Sequence, residues 1–271
     1  MITEEAREFI KVHFKKGDVV CLTGAGISAD SGIPIFRGQG GLWEKYDPQI
    51  YANPEGLAYM LKKNPRDLAN FVVDFYSILL KANPNQAHLA LAVMEKENLI
   101  NAVITQNIDN LHVQAGNRNV IELHGNAFRI CCTECPKTIT LEKDRLREMV
   151  ELLKSSGDSR PRLLRLLSRY FPNCSCGSRM RIDVVFFGES LPQDELLAAY
   201  KQLASCKLLL LVGTSMVVYP AASLPLYAKD KGAKLLEINN QETSLSDLCD
   251  LRINGKASEV LPEILNILDY A

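Results

Sequence analysis

Residues 18–32 read DVVCLTGAGISADSG, an apolar run followed directly by a glycine-rich turn. The run predicts a buried strand at Asp18–Leu22. Gly24 and Gly26 would let a ligand approach the backbone of the turn closely, as in the G-x-G-x-x-G turn of dinucleotide-binding proteins, where Ala29 is accepted in place of the third glycine. The acidic residue that usually follows about 20 residues later is missing. The turn alone therefore fits either a pyrophosphate site or a tight strand-to-helix connection without a ligand.

Short apolar runs bounded by turn residues recur along the chain and predict further buried strands. They are Ala102–Ile104, Val184–Phe187, Leu208–Val212 and Lys234–Ile238. Helix-length segments lie beside them, at Thr3–Lys16, Arg66–Leu80, Asn85–Glu97, Gln193–Ser205 and Ala257–Leu268. Because strands alternate with helices, we predict an α/β fold with a Rossmann-like parallel sheet and helices on both faces.

Composition and charge are those of an ordinary globular protein. The chain has 271 residues, of which 47% are hydrophobic, and its 31 Lys and Arg against 32 Asp and Glu give a net charge of −1. Such a balance does not indicate nucleic-acid binding, which needs a basic surface, although a local patch stays open. No apolar run approaches the ~20 residues that span a bilayer, and the N-terminal residues mix charge throughout. We therefore expect no membrane partner and a cytoplasmic location.

Five of the eight cysteines cluster in the strings CCTEC and CSC. Two pairs, Cys132 with Cys135 and Cys174 with Cys176, offer four thiolates for a closed tetrahedral zinc site, which would be structural because it has no open coordination position. Cys131 is a spare candidate, and free thiols are the alternative interpretation.

The stretch between the cysteine pairs breaks the strand–helix rhythm with two charged amphipathic helices. We therefore predict a small zinc-binding module at residues 131–180, with part of the 34–84 region packed beside it. The module would be inserted in a Rossmann-like domain formed by residues 1–130 and 181–271.

Polar residues follow three of the other predicted strands. They are Gln106, Asn107 and Asp109 after the second strand, Gly213, Thr214 and Ser215 after the run Leu208–Val212, and Asn239 after the run that ends at Ile238. Open α/β sheets bind ligands at this carboxyl edge. Helix caps and simple turns are the alternatives.

The chain has four histidines, and His124 is the best placed of them to act as a base. It ends an alternating strand and precedes Gly125, and an imidazole with a pKa near 6.5 can take a proton at physiological pH. A structural role is the alternative for His124, whereas we expect His13 to be structural on the N-terminal helix, His88 to pack against or cap a helix, and His112 to lie within a helix turn.

In their order, the strings GAGISADSGIPIFRG, GLW, TQNIDNLH, IELHGN, VVFFGE, GTSMVVYPAA and INNQET resemble the sirtuin family of NAD-dependent protein deacylases. The resemblance runs from about residue 16 to the C-terminal helix. It implies a protein-lysine deacylase that converts acyl-lysine and NAD to lysine, nicotinamide and O-acyl-ADP-ribose, with one structural zinc ion at the four cysteines.

The resemblance also implies roles for individual residues. His124 would be the general base, with Asn107 and Asp109 beside it in the catalytic site. NAD would be bound by Gly24, Ala25, Gly26, Ser28, Asp30, Phe36, Arg37, Gln106, Asn107, Ile108, Asp109, Gly213, Thr214, Ser215, Asn239 and Ala257. The acylated-lysine peptide would add as a strand beside Val184, Phe186, Gly188, Glu189 and Val218.

Acyl preference is partly readable from one helix. Sirtuins that remove succinyl or malonyl groups resemble one another in a Tyr-x-x-Arg pair, whereas here Tyr76 is followed three residues later by Leu79. An acidic acyl group would lack its cationic partner, so we expect acetyl or a longer apolar chain. Two other functions stay open: an ADP-ribosyltransferase or NAD hydrolase using the same pocket, and a module that binds acyl-lysine or NAD without turnover.

Overall fold

The computed structural model describes residues 2–15, 18–34, 42–157 and 159–270. The chain divides into two compact units. Unit 1 comprises Met1–Ser31, Asn83–His124 and Leu191–Ala271, and unit 2 comprises Gly32–Ala82 and Gly125–Ser190.

The strands, in chain order, are β1 (Val19–Thr23), β2 (Ala102–Thr105), β3 (Val120–Glu122), β4 (Gly125–Cys132), β5 (Thr138–Thr140), β6 (Met180–Val184), β7 (Leu208–Val212), β8 (Lys234–Asn239) and β9 (Leu251–Asn254). The α-helices are α1 (Glu4–His13), α2 (Leu42–Lys45), α3 (Pro48–Tyr51), α4 (Pro54–Lys63), α5 (Pro65–Lys81), α6 (Gln86–Lys96), α7 (Leu111–Ala115), α8 (Lys143–Lys154), α9 (Arg160–Tyr170), α10 (Gln193–Ser205), α11 (Leu224–Asp230) and α12 (Ala257–Ile267). Short 3-10 helices occupy Ala25–Ser31, Ala221–Ser223 and Ser246–Leu248.

Unit 1 is built on a six-stranded sheet in the order β3-β2-β1-β7-β8-β9, and every neighbouring pair is parallel. This is the doubly wound order, in which the chain adds strands first on one side of β1 and then on the other, so the turns after β1 and β7 are neighbours at the carboxyl edge of the sheet. The predicted α/β class with a parallel sheet is confirmed.

The sheet of unit 1 is apolar on both faces because both are covered. Val19 and Cys21 of β1 pack in one core with α1, α6 and α12, and are fully buried. Val20 and Leu22, which point to the opposite face, are also fully buried. Strands buried on both sides lack alternation, which is why they appear in the sequence as continuous apolar runs.

Unit 2 combines a three-stranded antiparallel sheet, in the order β5-β4-β6, with helices α2–α5, α8 and α9. Helices α8 and α9 are the two amphipathic helices expected between the cysteine pairs. None of the described helices combines the length and the apolar character that a membrane crossing requires.

The predicted strand at Val184–Phe187 is wrong in its position. The strand β6 covers Met180–Val184 instead, and pairs with β4 from Gly125 to Cys132. Beyond Val184 the chain turns, with Gly188 in the left-handed region at φ +87°. The apolar run VVFF therefore marks the end of a strand and the loop after it.

Candidate active site

The glycine turn after β1 is in close contact with the turn after β7. Backbone N–H groups of Gly24 and Gly26 donate to the carbonyl oxygens of Val212 (3.1 Å) and Gly213 (2.8 Å). A Cβ on Gly26 would lie 2.8 Å from the Cα of Gly213, and one on Gly24 would lie 2.7 Å from the Cβ of Thr214. The glycines of both turns are thus required by the approach of two backbone segments, whatever ligand they bind.

We expect Gly213→Ala to destabilise the protein by about 3 kcal/mol or more. Gly213 has φ +57°, and a Cβ there would lie 2.4 Å from the backbone nitrogen of Ile27, which cannot move without separating β1 from β7. Gly232→Ala is the matched control, since Gly232 has φ +90° and open space around its Cβ position. Its cost should be about 1 kcal/mol. Equal unfolding free energies for the two variants in urea denaturation would contradict this account.

Ser28, Asn107 and Asp109 form one buried hydrogen-bonded group. Asn107 Nδ2 donates to Ser28 Oγ (3.1 Å) and to the Gly24 carbonyl (3.0 Å), while Ser28 Oγ donates to Asp109 Oδ2 (2.7 Å). Asp109 Oδ1 also accepts the backbone N–H of Leu111 at 2.9 Å, which closes a turn just before α7, while the N-cap residue Asn110 makes no side-chain capping bond. Burial raises the pKa of Asp109, and these hydrogen bonds oppose the rise.

Two buried histidines extend this group. His88 Nδ1 accepts the backbone N–H of Asn85 (3.3 Å), which leaves its Nε2–H facing Ser28 Oγ at 3.4 Å. His112 Nε2 lies 2.9 Å from Thr23 Oγ1. Burial lowers the pKa of His88 to about 4 and that of His112 well below its ordinary value, so both are neutral at physiological pH.

Sequence reasoning missed the contact of His88 with this group. His88 does form the capping box at the start of α6, as the structural interpretation expected, and the same ring also reaches Ser28. The spacing of Asn85 and His88 at a helix start was the available signal, but it could not indicate what the second ring nitrogen faces.

Gln106, Thr214 and Asn239 connect the ends of three strands. Gln106 Nε2 donates to Thr214 Oγ1 (2.8 Å), and Asn239 Nδ2 donates to the Thr214 carbonyl (3.1 Å). The residues predicted at the carboxyl edge of β2, β7 and β8 are therefore brought together. Ser215, next to them, is exposed, and Ile108 is half-buried.

His124 follows β3 and is held in one orientation by the backbone. Its Nδ1 lies 2.9 Å from the carbonyl oxygen of Gln106. Because a carbonyl can only accept, Nδ1 carries the hydrogen and Nε2 keeps its lone pair. Burial lowers the pKa of His124, partly offset by the hydrogen bond to Gln106, so the ring is neutral at physiological pH and can take a proton at Nε2.

Asp30 is exposed and bound to the N-terminal end of α12. It forms an ion pair with Lys256 at 3.1 Å and accepts a hydrogen bond from the hydroxyl of Ser258. Those two partners lower the pKa of Asp30, with Ser258 as the larger cause. The buried Ala257 lies between them in the chain. Phe36 and Arg37, also expected to contact NAD, lie outside the described residues.

The loop after β6 in unit 2 is organised by one arginine. Arg181 contacts both carboxylate oxygens of Glu189, at 2.5 and 2.8 Å, and donates to the Val184 carbonyl at 2.7 Å. Glu189 also accepts the backbone N–H of Phe186 at 2.9 Å, and the guanidinium of Arg181 lies 5.0 Å from the centre of the Phe186 ring. Glu189 is thus engaged within the loop. Val218, expected to share its peptide role, belongs to unit 1 and is half-buried.

The four predicted cysteine ligands meet in unit 2. Their sulfur atoms all lie within 4.8 Å of one another, with Cys132 and Cys176 at 3.5 Å and Cys135 and Cys174 at 3.6 Å. Zinc bonds of about 2.3 Å in a tetrahedron place sulfur atoms about 3.8 Å apart, so the cluster fits a zinc ion. Cys131 is not part of it.

The short Cys-x-Cys spacing is accommodated by a tight turn. The backbone N–H of Gly177 donates to the Cys174 carbonyl (2.9 Å), and that of Cys174 donates to the Ser178 carbonyl (2.7 Å). Hydrogen bonds from the backbone and side chain of Ser178, followed by those of Cys132 and Cys174, lower the pKa of Cys176 to about 6, whereas neighbouring cysteines raise the pKa of Cys135.

The parallel sheet with a glycine turn at its switch point defines a Rossmann-type nucleotide-binding protein. The model of the Sir2 family matches residues 24–220, and the chain belongs to that family. An NAD-dependent protein deacylase of Pyrococcus furiosus is 44% identical over 259 residues, covering 95% of this chain and 96% of the relative.

Two solved structures are similar over nearly their whole length. A crystal structure of a Sir2 homologue–NAD complex is 37% identical with a TM-score of 0.78, covering 99% of this chain and 95% of that one. A Sir2 variant with a deacetylated p53 peptide and 3'-O-acetyl ADP-ribose is 37% identical with a TM-score of 0.75, covering 96% and 97%.

Proposed function

We propose that this protein is an NAD-dependent protein-lysine deacylase and that acetyl-lysine is its preferred substrate. The observation that carries the proposal is His124, a neutral imidazole whose tautomer is fixed by the Gln106 carbonyl at the carboxyl edge of a nucleotide-binding sheet. The deacylase relatives and the Sir2 structures with NAD and acetyl ADP-ribose support it.

NAD would occupy the carboxyl edge of the unit 1 sheet. When bound, it supplies the glycosidic bond that breaks to release nicotinamide and the ribose that accepts the acyl group. The turns at Gly24–Gly26 and Gly213–Ser215 would hold the pyrophosphate and adenosine ribose, with Asn239 and Ala257 nearby. Gln106, Asn107, Ile108 and Asp109 would surround the nicotinamide and its ribose, and Ser28, Asp30, Phe36 and Arg37 complete the proposed set.

His124 would act as the general base. Nδ1–H remains on the Gln106 carbonyl, so Nε2 is the atom that takes a proton from a ribose hydroxyl, which then becomes nucleophilic toward the acyl carbon. The hydrogen bonds among Ser28, Asn107 and Asp109 fix these side chains relative to one another, which would preorganise them for NAD.

The two units would carry separate tasks. We propose that unit 1 is the NAD-binding domain and that unit 2 carries the structural zinc ion at Cys132, Cys135, Cys174 and Cys176. The sequence-based boundaries, with a module at 131–180 in a domain of 1–130 and 181–271, stay a prediction. The proposed location is the cytoplasm, where the cysteines, all unpaired here, would stay reduced.

An acetyl group suits the residues of α5. The hydroxyl of Tyr76 is buried and donates to the Ala127 carbonyl at 3.1 Å, so it is engaged by the backbone. Phe71 lies in an apolar cluster with Val72 and Phe75 packed against it, so these side chains serve as core. An acidic acyl group has no guanidinium partner at position 79, which supports acetyl or a longer apolar chain.

The loop Val184–Glu189 of unit 2 is proposed to bind the peptide substrate. We expect Arg181→Ala to raise the KM for an acetyl-lysine peptide about tenfold, with a smaller effect on kcat, because Glu189 and the Val184 carbonyl lose the group that positions the loop. Steady-state kinetics at saturating NAD measures both parameters.

A matched control separates this effect from general loosening of the sheet. Arg129 forms an ion pair with Asp183, which directly precedes the loop, so Arg129→Ala removes a pair on the same sheet and leaves the contacts of Arg181 with Glu189 and the Val184 carbonyl in place. The swapped variant Arg181→Glu/Glu189→Arg restores an ion pair between the two positions, so its KM should lie between that of Arg181→Ala and that of the parent protein. Equal KM values for Arg181→Ala and Arg129→Ala would contradict a positioning role for Arg181.

The function is tested by mass spectrometry of the protein with NAD and an acetyl-lysine peptide. Nicotinamide release that depends on the peptide, with O-acetyl-ADP-ribose as product, is the expected result. Free ADP-ribose without peptide would instead indicate an NAD hydrolase, and ADP-ribose attached to protein would indicate a transferase. If the protein binds NAD and peptide but forms no product, with longer acyl chains also tested, it would be a module that binds these molecules without turnover.

A further inference from the structure

Helix α9 has four arginines and no acidic residue among its eleven. Leu163 and Tyr170 are buried and attach the helix to unit 2. The arginines, at positions 160, 162, 165 and 169, are all exposed. The role of this helix is not explained by zinc binding or by the proposed chemistry.

Three of the arginines share one face of the helix. Arg162, Arg165 and Arg169 follow one another at intervals of three and four residues, which places them in a row along the helix, and the guanidinium of Arg169 lies 5.7 Å from the centre of the Tyr170 ring. At a rise of about 1.5 Å per residue the row is about 10 Å long. We call these three residues the arginine face of α9.

The arginine face is only partly neutralised by its surroundings. Arg169 pairs with Glu148 of α8 at 2.7 Å, with side chains that are 59% and 48% exposed, and its carbonyl accepts from Arg145. Within the part of the chain that the structure describes, Arg162 and Arg165 form no ion pair.

The charge of this region differs from that of the whole chain. Residues 143–170 contain eight Lys and Arg against four Asp and Glu, whereas the chain as a whole has a net charge of −1. The remainder is therefore net acidic and would repel a long polyanion such as a nucleic acid that extended past the patch. Of the four leucines of α9, Leu163 is buried, Leu166 and Leu167 are half-buried, and Leu164 is 38% exposed, so the helix offers one exposed leucine and not an apolar stripe to a lipid surface.

We propose that the arginine face of α9 docks a short Asp- and Glu-rich segment of the acyl-lysine protein substrate. Guanidinium groups bind carboxylates bidentately, and three of them in a row of about 10 Å, as estimated from the helix rise, match a few acidic side chains. This inference rests on the proposed deacylase function. A docked segment raises the local concentration of its acyl-lysine at the enzyme without altering the chemical step.

Direct binding is tested with a fluorescent peptide that contains eight Asp and Glu residues and no lysine. Arg162→Glu/Arg165→Glu should weaken its binding at low salt about fivefold or more, because two attractions become repulsions. The control Lys62→Glu/Lys63→Glu makes the same change in net charge on two exposed residues of α4 and should leave binding within about twofold. If the reversed arginines lower the thermal stability, Arg162→Gln/Arg165→Gln replaces them.

The second readout is kinetic. A set of acetyl-lysine peptides carries an acidic tract at several distances on either side of the lysine, and a matched set carries Asn and Gln instead. We expect the best acidic peptide to have a several-fold lower KM than its neutral partner, equal kcat values, and no KM difference in the Arg162→Glu/Arg165→Glu variant. Turnover of the neutral peptides reports the proposed function separately.

Two results would overturn the proposal. One is equal binding of the acidic probe by the parent protein, the arginine variant and the lysine control. The other is a DNA duplex that binds the parent more tightly than the acidic probe while the acidic and neutral substrates have the same KM, which would assign the face to nucleic acid.

Discussion

Replacing His124 with alanine should lower the turnover of acetyl-lysine peptide by about 10² to 10⁴-fold, the usual contribution of a general base. The ring donates from Nδ1 to the Gln106 carbonyl and keeps Nε2 free of hydrogen, and no other histidine of the site is so held. His88 and His112 are tied to side-chain hydroxyl groups at 3.4 and 2.9 Å instead. NAD binding, measured by calorimetry, should change little.

The matched control for this prediction is His13→Ala, since His13 ends α1 and packs against Phe9. It should retain nearly full turnover. If His124→Ala turned over the peptide at the parent rate, His124 would not be the base. The same conclusion would follow if its affinity for NAD fell by the same factor as its rate.

The pH dependence of the parent protein follows from the same ring. Burial lowers the pKa of His124 from its ordinary value of 6.5, so the neutral, active form persists to a pH below that value. The activity should therefore fall on acidification with a midpoint below 6.5, and rise no further above neutrality through this group. An acid limb centred above that ordinary value would require a different base.

Replacing Cys174 with serine should abolish the binding of one zinc ion per chain and unfold part of unit 2. The Cys174 thiol is buried and lies 3.6 Å from Cys135, so its loss leaves three ligands. Structural zinc contributes about 10 kcal/mol or more to folding in small zinc-binding peptides, which a three-stranded sheet cannot easily replace. Metal analysis and thermal unfolding measure the two effects.

The neighbouring cysteine pair on β4 supplies the control. Cys131 and Cys132 are adjacent in sequence, yet only Cys132 belongs to the cluster. Cys131→Ser should keep its zinc and most of its stability, whereas Cys132→Ser should behave like Cys174→Ser. Retention of one zinc ion in Cys174→Ser, with an unchanged melting temperature, would contradict a structural zinc site with four cysteine ligands.

The sheet of unit 1 is largely predictable because its strands are buried on both faces. The run Leu208–Val212 predicts a strand with the bounds that β7 has in the structure, and the helix Gln193–Ser205 likewise has its predicted bounds. The strand predicted at Val184–Phe187 is misplaced because a run of apolar residues does not show where the pairing of a strand with its neighbour ends. Arg181, Glu189 and the left-handed Gly188 turn the chain there, through contacts among side chains that periodicity does not reveal.

The candidate site is predictable as a set of positions and not as a set of contacts. Placement after parallel strands brings Gln106, Thr214 and Asn239 to one edge, as expected. Whether Ser28 faces a ligand or Asp109 cannot be inferred from spacing, since it depends on rotamers. The arginine face of α9 is not predicted from composition either, because the net charge of −1 for the whole chain does not show a local excess of basic residues.

The crossing of the turns at Gly26 and Gly213 restricts how this sequence can vary. Each glycine occupies the space in which the other's side chain would stand, with Gly213 Cα 2.8 Å from a Cβ on Gly26. A larger residue on either side cannot be compensated by a smaller one opposite, because the opposite residue already has no side chain. Gly26 and Gly213 lie far apart in the chain, yet neither can be replaced by a larger residue, even if the other is substituted first. Substitutions that change the affinity for a nucleotide must therefore arise in the residues around the two turns.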